Sequence, residues 1–495
     1  MRLYICYYKQ ANTMYVYDTF VFVGDMGANY EYDSSGHLTK ATTNSGSVKY
    51  EYTGPRVRKM EVERRGGSNY TVDYTYYNNT NNVHTAIEKT KKGNQTPVTI
   101  SEKEYFYGTG GVVTKCVTTA DGASTEQNYQ YTNDNNDLSK VIDGSGLWGE
   151  YTYASKNHNI VTTSTASDGS VYSYAYIGYQ DYLQTIMSGG SQNTYNYEDD
   201  MLGSIVHNGT TYAFSYNNLG QVTTTKIGDQ TIAQNNYDAK TQRLTSTVYG
   251  NGHSYMPSYD SMGRVTSERY NGRLGAAHTY TYANDNSLTK ATSSETQRTT
   301  QFSYDISGRL TEIKGFNTAN KSEPTSARMR YDDSGALKQL KITADGALLS
   351  DTHYAYDDRD RPATTTLDSL GGGTLSYAYI GLGRLGGVTQ TLANSGVAET
   401  EYAYLNYNSN ATSFVAQMTN TLPGGVTTYG YTYKPGSSNI ATIKENNVLQ
   451  HTYTYDSLGQ LTKDITPSKT MDYAYDVGGN ITSIKENNVV ARSFA

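Results

Sequence analysis

Cysteine, tryptophan and proline are scarce in this sequence: its 495 residues include two cysteines, one tryptophan and eight prolines. The two cysteines, Cys6 and Cys116, cannot form the disulfide framework that small secreted domains use to stabilise their folds. No long apolar run occurs either, so no membrane-spanning helix is expected. The first residues, MRLYICYYKQ, include one arginine but lack the apolar stretch of a signal peptide.

Neither sign of charge is concentrated in one part of the chain. Forty Lys and Arg residues oppose 47 Asp and Glu residues, which leaves a net charge of −7. A nucleic-acid-binding protein is expected to present a basic face, so this class is disfavoured and no nucleic-acid partner is expected. The one basic stretch, RVRKMEVERR at 56–65, alternates as an exposed strand face does, with Val57 and Val62 interleaved. A polyanion site there is the less favoured interpretation.

Residues that could carry catalysis or bind metal show no suitable spacing. The eight histidines share no ligand spacing, and neither H-x-x-x-H nor C-x-x-C occurs. Two acidic clusters, YEDD at 197–200 and YDDRDRP at 356–362, could be acid–base pairs or a cation site. Both fall at expected turns, however, where Asp is favoured for backbone reasons. His451, two residues before Tyr453, is interpreted as a sheet-surface residue. We therefore expect a protein that is not an enzyme and that uses no cofactor or metal ion.

Tyrosine and glycine are abundant instead, with 51 and 47 copies against eight phenylalanines. A tyrosine followed by a turn and an aliphatic residue recurs 20 times, and the 19 intervals between copies average about 23 residues. A fixed period of this length is typical of repeat architectures. Some copies have lost the glycine, such as YDAKTQRL at 237 and YANDNSL at 282. The repeat tyrosines are at positions 32, 52, 76, 107, 131, 153, 176, 197, 216, 237, 259, 282, 304, 331, 356, 379, 404, 433, 455 and 475.

Each repeat is predicted to be a β-hairpin. Tyrosines two apart, such as Tyr453 and Tyr455, share one face of a strand. In YDSLGQL the Asp can accept hydrogen bonds from its own turn, and the Gly three residues later suits the positive φ of a three-residue hairpin loop with a bulge. The motif Y-D-x-x-G-x-[LV] is clearest at the following residues, for which we expect a structural role: Tyr32, Asp33, Gly36, Tyr216, Gly220, Tyr259, Asp260, Gly263, Tyr304, Asp305, Gly308, Tyr331, Asp332, Gly335, Tyr455, Asp456, Gly459, Tyr475, Asp476 and Gly479.

A second turn signal lies about half a period away from the motif, as in Asp121–Gly122 and Asn208–Gly209. Two turns per repeat leave strands of about seven or eight residues in an antiparallel meander. Twenty hairpins would give about forty strands and a strip about 190 Å long. Open sheets rarely exceed about ten strands without curling, and one bulge per repeat supplies the bend. The sequence thus predicts an all-β fold: a long antiparallel hairpin-repeat sheet spiralling into a hollow or partial shell.

The tyrosines have two interpretations. A repeated tyrosine-rich sheet could bind carbohydrate or choline, because aromatic faces stack on sugars and attract quaternary ammonium groups. Repeats of that kind depend on recurring tryptophan, and this chain has one. The favoured interpretation is structural: tyrosines at the same place in every repeat stack in cross-strand columns, and their hydroxyls reach water or backbone.

The motif at this period resembles the YD repeats, also called Rhs repeats. The closest copies are YDSMGRVTS at 259, YDISGRLTE at 304 and YDSLGQLTK at 455, and the resemblance covers the chain from about residue 30. That family includes bacterial polymorphic toxins, the cocoon components of Tc toxins and the teneurin adhesion proteins. The resemblance implies a spiralling β-sheet shell, the YD-shell, which in bacterial members commonly encloses a C-terminal toxin domain.

The resemblance also implies a domain organisation and a function. Residues 1–29 would be incomplete or worn repeats, and residues 30–495 about twenty repeats forming one continuous shell segment. We find no Rhs core segment of the D-P-x-G type, no autoprotease region and no variable toxin tail, and we expect a piece of a longer protein. The expected function is a non-enzymatic shell segment of a secreted or cell-surface bacterial protein, whose partner is its own C-terminal toxin domain or other polypeptide cargo. The alternative is a cell-surface adhesion or carbohydrate-binding module with a glycan or cell-surface partner.

Overall fold

The computed structural model describes residues 28–494, with the exception of 44–45, 65–66, 133–135, 155–159, 179–180, 272–276, 333, 371, 393–395 and 477. The expected region of worn N-terminal repeats, residues 1–29, lies outside the described residues except for its last two. The described residues form 41 β-strands and three 3₁₀ turns, and they contain no α-helix. None of them forms a helix with the length and hydropathy needed to cross a membrane.

The strands are short and follow one another throughout the chain. The first fourteen are β1 Asn29–Tyr32, β2 Leu38–Thr43, β3 Gly46–Thr53, β4 Arg56–Arg64, β5 Asn69–Tyr76, β6 Val83–Lys91, β7 Val98–Tyr107, β8 Val113–Ala120, β9 Ala123–Tyr131, β10 Leu138–Ile142, β11 Trp148–Tyr153, β12 Val161–Ala166, β13 Val171–Ile177 and β14 Tyr182–Ser188. The next fourteen are β15 Ser191–Glu198, β16 Met201–His207, β17 Thr210–Tyr216, β18 Val222–Ile227, β19 Gln230–Tyr237, β20 Leu244–Tyr249, β21 Ser254–Tyr259, β22 Val265–Asn271, β23 Ala277–Tyr282, β24 Leu288–Ser293, β25 Arg298–Tyr304, β26 Leu310–Asn317, β27 Thr325–Tyr331 and β28 Leu337–Ala344. The last thirteen are β29 Ala347–Tyr356, β30 Pro362–Leu367, β31 Gly373–Ile380, β32 Arg384–Leu392, β33 Gly396–Tyr407, β34 Asn410–Leu422, β35 Gly425–Tyr433, β36 Ile440–Glu445, β37 Val448–Tyr455, β38 Leu461–Ile465, β39 Thr470–Tyr475, β40 Ile481–Glu486 and β41 Val489–Ser493. The 3₁₀ turns are Thr109–Gly111, Asp368–Leu370 and Gly381–Gly383.

All 41 strands belong to one sheet, in which each strand pairs antiparallel with the next one along the chain. The predicted all-β fold, an antiparallel meander of hairpin repeats, is confirmed. The turn that follows each motif tyrosine joins an odd strand to an even one, so all of these turns lie along one border of the ribbon, which we call the tyrosine edge. The turns that lead back to the next odd strand form the opposite border, the return edge.

A bulge occurs at every tyrosine turn. In the hairpin of β25 and β26, Tyr304 pairs with Leu310 and Ser303 with Glu312, which leaves Thr311 as the extra residue. The register shifts in the same way at the motif tyrosine of all twenty hairpins. Because a bulge adds twist and bend to its strand, each repeat contributes one increment of curvature on the same edge.

Several return turns are tighter than the turns of the motif. Asp121 and Gly122 have φ of 52° and 76°, and Asn446 and Asn447 have φ of 47° and 67°. Two successive residues with positive φ form the two-residue type I′ loop, whose twist matches that of the strands on either side. This explains why Asp, Asn and Gly recur half a period away from the motif.

The ribbon curls until its two edges meet. The return turn after β6 contacts the tyrosine turn after β29, where Lys92 Nζ lies 3.0 Å from Asp360 Oδ1. The return turns after β10 and β14 likewise lie against the tyrosine turns after β33 and β37, through Gly146 with Tyr407 and Gly189 with Leu458. In each case the partner lies 23 strands further along the sheet. One winding is therefore about 23 strands, or about 110 Å of circumference at about 4.8 Å per strand.

Little of the sheet is buried. Among the described residues seven apolar side chains are buried, and five of them form one cluster on β3–β6: Val48, Met60, Val62, Val72 and Ala86. The chain exposes 30440 Å² of surface, whereas a compact protein of 54.6 kDa would expose about 18,000 Å². A two-sheet sandwich with a packed interior is inconsistent with both observations, because its inner faces would supply a continuous core. The sheet is a curled single layer with both faces largely accessible.

Candidate functional site

The motif aspartate organises its own turn. In the turn after β25, Asp305 Oδ1 accepts hydrogen bonds from the N–H of Ser307 at 2.8 Å and of Arg309 at 3.0 Å. The N–H of Gly308 donates to the Asp305 carbonyl at 3.0 Å, and Gly308 has φ of 77°. The same carboxylate bonds are made by Asp33, Asp260, Asp332, Asp456 and Asp476. The glycines Gly36, Gly220, Gly263, Gly335, Gly459 and Gly479 all have φ between 75° and 89°.

These hydrogen bonds keep several motif carboxylates ionised. The N–H of His37 holds the pKa of Asp33 below its ordinary value. For Asp305, partial burial raises the pKa, but hydrogen bonds from the backbone and guanidinium of Arg309 lower it more, so the net shift is downward. A lowered carboxyl pKa in this setting reports the turn's own N–H groups and gives no reason to assign acid–base chemistry.

The motif tyrosine joins each repeat to the one before it. Its hydroxyl donates to the backbone carbonyl of the apolar residue that ends the preceding motif, at 2.7–3.1 Å. This bond is present for Tyr52, Tyr76, Tyr131, Tyr153, Tyr176, Tyr197, Tyr216, Tyr237, Tyr282, Tyr304, Tyr331, Tyr356, Tyr379, Tyr404, Tyr433, Tyr455 and Tyr475. Tyr32, in the first described strand, is 62% exposed. The predicted contact of the hydroxyls with backbone is thus a specific bond that ties neighbouring repeats.

The face of the same ring is covered by the residue between Gly and [LV] in the preceding motif. That residue is a cation or an aromatic in nine pairs, with ring or charge centres 4.3–5.6 Å apart. The pairs are His37 on Tyr52, Arg56 on Tyr76, Tyr182 on Tyr197, Arg243 on Tyr259, Arg264 on Tyr282, Arg309 on Tyr331, Arg361 on Tyr379, Arg384 on Tyr404 and Phe414 on Tyr433. The expected stacking of one motif tyrosine on the next is therefore wrong for these nine, because the ring of one repeat is covered by a different motif position of its neighbour.

Two further positions support the turn. Where the covering residue is Arg264, Arg309 or Arg361, its Nε donates to the second carboxylate oxygen of its own motif aspartate at 2.7 Å. The bulged threonine after the apolar residue donates back to the carbonyl before the tyrosine, as Thr311 does to Ser303 at 3.1 Å and Thr462 to Thr454 at 3.1 Å. The bulge would otherwise leave that carbonyl without its ladder partner.

The other candidates from the sequence have ordinary structural roles. Asp199 and Asp200 of the YEDD cluster form the tyrosine turn after β15, with φ of 49° and 63°. His451 Nδ1 lies 2.9 Å from Asp464 Oδ1 on the neighbouring strand. In the basic stretch, Arg58 and Lys59 face the acids Glu51 and Glu61, and the interleaved Val62 is buried. No group of three or more metal-binding side chains occurs in the part of the chain that is described.

The second acidic cluster, YDDRDRP, lies where successive windings meet. Asp121 of the return turn after β8 pairs with Arg359 and, at 2.7 Å, with Arg361 of the tyrosine turn after β29. Asp360 of the same tyrosine turn accepts from Thr90 Oγ1 at 3.2 Å. Further along, Ser167 Oγ donates to the Gly436 carbonyl at 2.6 Å. We call this line of contacts the winding seam; these paired residues are 238–270 positions apart in sequence, and sequence reasoning missed the contacts.

The predicted motif residues are not brought together into one pocket. They are distributed along the tyrosine edge, one set per repeat, and each set holds its own turn and the adjacent repeat. What the structure assembles from all of them is a curved wall that closes on itself at the winding seam. The candidate functional feature is therefore the space that this wall surrounds.

Known proteins with a similar fold are found among solved structures. No protein-family model and no curated protein matches the sequence. The chain is similar to the crystal structures described as TcdB2-TccC3-Cdc42, TcdB2-TccC3, and TcdB2-TccC3 without its hypervariable C-terminal region. Sequence identities are 12%, 11% and 10%, and TM-scores are 0.59, 0.58 and 0.58.

These matches cover 93%, 94% and 94% of this chain but only 27%, 30% and 30% of the solved chains. The chain thus spans less than a third of the length of the proteins it matches. At these identities the likeness shows the fold: nearly the whole hairpin-repeat sheet has a counterpart within a larger protein.

Proposed function

We propose that this chain is a non-enzymatic wall segment of a hollow shell that encloses polypeptide. The observation that carries the proposal is the winding seam, because a ribbon whose opposite edges meet after about 23 strands surrounds a space. The repeats supply curvature through the bulge at each tyrosine turn, and the seam fixes where the curl closes.

The dimensions favour polypeptide as the content. A circumference of about 110 Å corresponds to a diameter of about 35 Å for a round section, and side chains extend about 5 Å inward from the sheet. The remaining width of about 25 Å admits an α-helix, which is 10–12 Å across, or an extended chain. With few buried apolar side chains in the sheet, such a space would be wet and would not bind its content as a dry core does.

The content of the shell and the kind of protein are proposed from the similarity to larger proteins. The resemblance to YD repeats, together with the fold shared with TcdB2-TccC3, supports a bacterial secreted or cell-surface protein whose shell holds its own C-terminal toxin domain or another polypeptide. The adhesion or glycan-binding alternative is less well supported. Nine motif rings are covered by a neighbouring side chain, and seventeen motif hydroxyls are bonded to backbone, which leaves those rings little capacity to stack on a sugar.

Protection from protease tests enclosure. A flexible reporter segment with protease sites, fused after residue 495, should be cleaved about tenfold more slowly on this chain than when free, because it must leave the shell to be cut. The matched control is the same fusion with Arg359→Ala and Arg361→Ala, which remove the ion pairs of Asp121 at the seam and should restore cleavage. Equal cleavage of the fused and the free reporter would refute the proposal.

A further inference from the structure

Both long edges of the ribbon extend beyond the winding seam. The tyrosine edge of β27–β38 lies on the return edge of β4–β15, as the seam contacts show. Among the described residues, the return edge from β16 to β41 and the tyrosine edge from β1 to β26 make none of these contacts, and each is longer than one winding of 23 strands. Each of these two edges is therefore long enough to form a further seam around a full winding.

The return edge of the last winding carries paired apolar side chains. Leu348 and Leu349 follow Ala347 at the start of β29, Val448 and Leu449 begin β37, and Val489 and Val490 begin β41. All six side chains are 46–70% exposed. Where the return edge is already covered, its contact points are small or polar: Gly67, Asp121, Ser167 and Gly189. Exposed paired apolar residues that recur along one edge indicate a surface that a partner covers.

The uncovered tyrosine edge carries matching side chains. Leu219 and Met262 precede the glycine of their motifs and are 63% and 56% exposed. Leu458 occupies the same motif position within the seam, where it lies so close to Gly189 that a Cβ there would be 2.8 Å from Leu458 Cδ2. Ile306, one position earlier in its motif, is 87% exposed. The contact that Leu458 makes within the chain is thus available at other turns for a second return edge.

We propose that a second copy of this chain docks here, with its tyrosine edge around Leu219 and Met262 on the return edge around Val448 and Val489. Such docking would continue the winding seam, because the chain already joins these two kinds of edge and leaves one of each uncovered. The contact is heterologous, since the two surfaces differ, so copies would stack head to tail in an open series. The proposal does not depend on cargo.

Sedimentation velocity of the intact chain over a range of concentrations tests the docking. The wild-type chain should give a concentration-dependent series of dimer, trimer and higher species. Val448→Asp with Val489→Asp changes only the return edge, and Leu219→Asp with Met262→Asp changes only the tyrosine edge. Each pair should weaken association by on the order of a hundredfold, because it buries a charge without a partner. Thr454→Asp adds one negative charge at an exposed site inside β37 and should leave the series unchanged.

Mixing the two edge variants gives a sharper result. Each retains one intact edge, so the mixture should form dimers and stop there. A wild-type chain that stays monomeric at every concentration, a series that persists in both variants, or a mixture without dimers would each overturn the proposal. If an Asp variant loses its β-sheet circular dichroism, Ser at the same positions replaces it and the same outcomes decide.

Discussion

The hydroxyl of Tyr331 donates a 2.7 Å hydrogen bond to the backbone carbonyl of Leu310, the apolar residue that ends the preceding motif. The residue before Leu310, Arg309, holds its guanidinium carbon 4.6 Å from the centre of the Tyr331 ring. The Tyr331 side chain thus contacts two consecutive residues of the preceding repeat: its hydroxyl bonds to Leu310, and the face of its ring packs against Arg309.

Removing that hydroxyl should loosen one junction between repeats. Tyr331→Phe leaves the Leu310 carbonyl without its donor and should destabilise β26–β28 by about 1 kcal/mol. Hydrogen exchange of peptides from these strands measures the effect, because repeat sheets open locally. Tyr172→Phe, at a ring that is 40% exposed, is the control. Equal changes in the two variants would contradict the role of the bond.

The motif glycine is required for its backbone conformation, and space is not the constraint. Gly308 has φ of 77°, and a Cβ there would meet nothing within 4 Å. Gly308→Val should therefore cost about 1–3 kcal/mol from strain alone. Gly424 is equally open and lacks a positive φ, so Gly424→Val is the matched control. Urea unfolding of both variants compares the two costs, and a cost at Gly424 as large as at Gly308 would refute the conformational explanation.

Alkaline pH should unfold the sheet through its tyrosines. Burial raises the pKa of Tyr107 to about 12, and burial with a hydrogen bond to Glu268 raises the pKa of Tyr280 to about 12. In the unfolded chain these groups ionise near pH 10. A raised folded-state pKa means that the stabilisation is complete below pH 10 and is lost as the pH rises from 10 towards 12.

Tyrosinate absorbance and circular dichroism, followed together through this range, check the expectation. Ionisation and loss of β-sheet signal should coincide in one steep transition. Gradual ionisation near pH 10 with the sheet signal intact would show that these hydroxyls are not protected by the fold.

Substitution of Arg361 should weaken the winding seam, whereas substitution of Arg309, at the same motif position, should not. Arg309 and Arg361 each bond their own motif aspartate and cover the next tyrosine, but only Arg361 reaches Asp121 of the other winding. Arg361→Ala should destabilise the return turn after β8 by about 1–2 kcal/mol, since Asp121 is largely buried there. Faster hydrogen exchange at residues 120–124 in this variant, and not in Arg309→Ala, is the expected result. The same increase in both variants would contradict a local seam contact.

Local features could be read from the sequence because each depends on residues a few positions apart. The Asp and Gly of YDISG specify a turn by their own chemistry, and alternating tyrosines specify a strand. The partner of the tyrosine ring could also have been found: Arg264, Arg309, Arg361 and Arg384 all stand immediately before the residue that ends their motif. The threonine in GRLT was a signal of the same kind.

The seam could not be read in this way. Asp121 and Arg361 are 240 residues apart, and their contact depends on the curvature summed over the strands between them. A small change in bend per repeat would bring Asp121 opposite a different turn. The sequence around each of these residues contains no sign of its partner. In YDDRDRP the charged residues cannot be told apart from ordinary turn residues until the circumference is known.

An offset of 23 strands is eleven and a half hairpins. Because this number is not whole, the return edge of one winding lies against the tyrosine edge of the next. A given turn therefore faces turns of the other kind, and neighbouring return turns can share one partner, as the turns after β6 and β8 share the tyrosine turn after β29. Identical repeats could not tell one alignment from the next and would let the wall slide to a wider or narrower ring. Copies that depart from the motif, such as the one with Asp360 in place of the glycine, allow individual turns to make contacts that other turns cannot make. We therefore expect the irregular copies of the repeat to fix the circumference at which the ribbon closes.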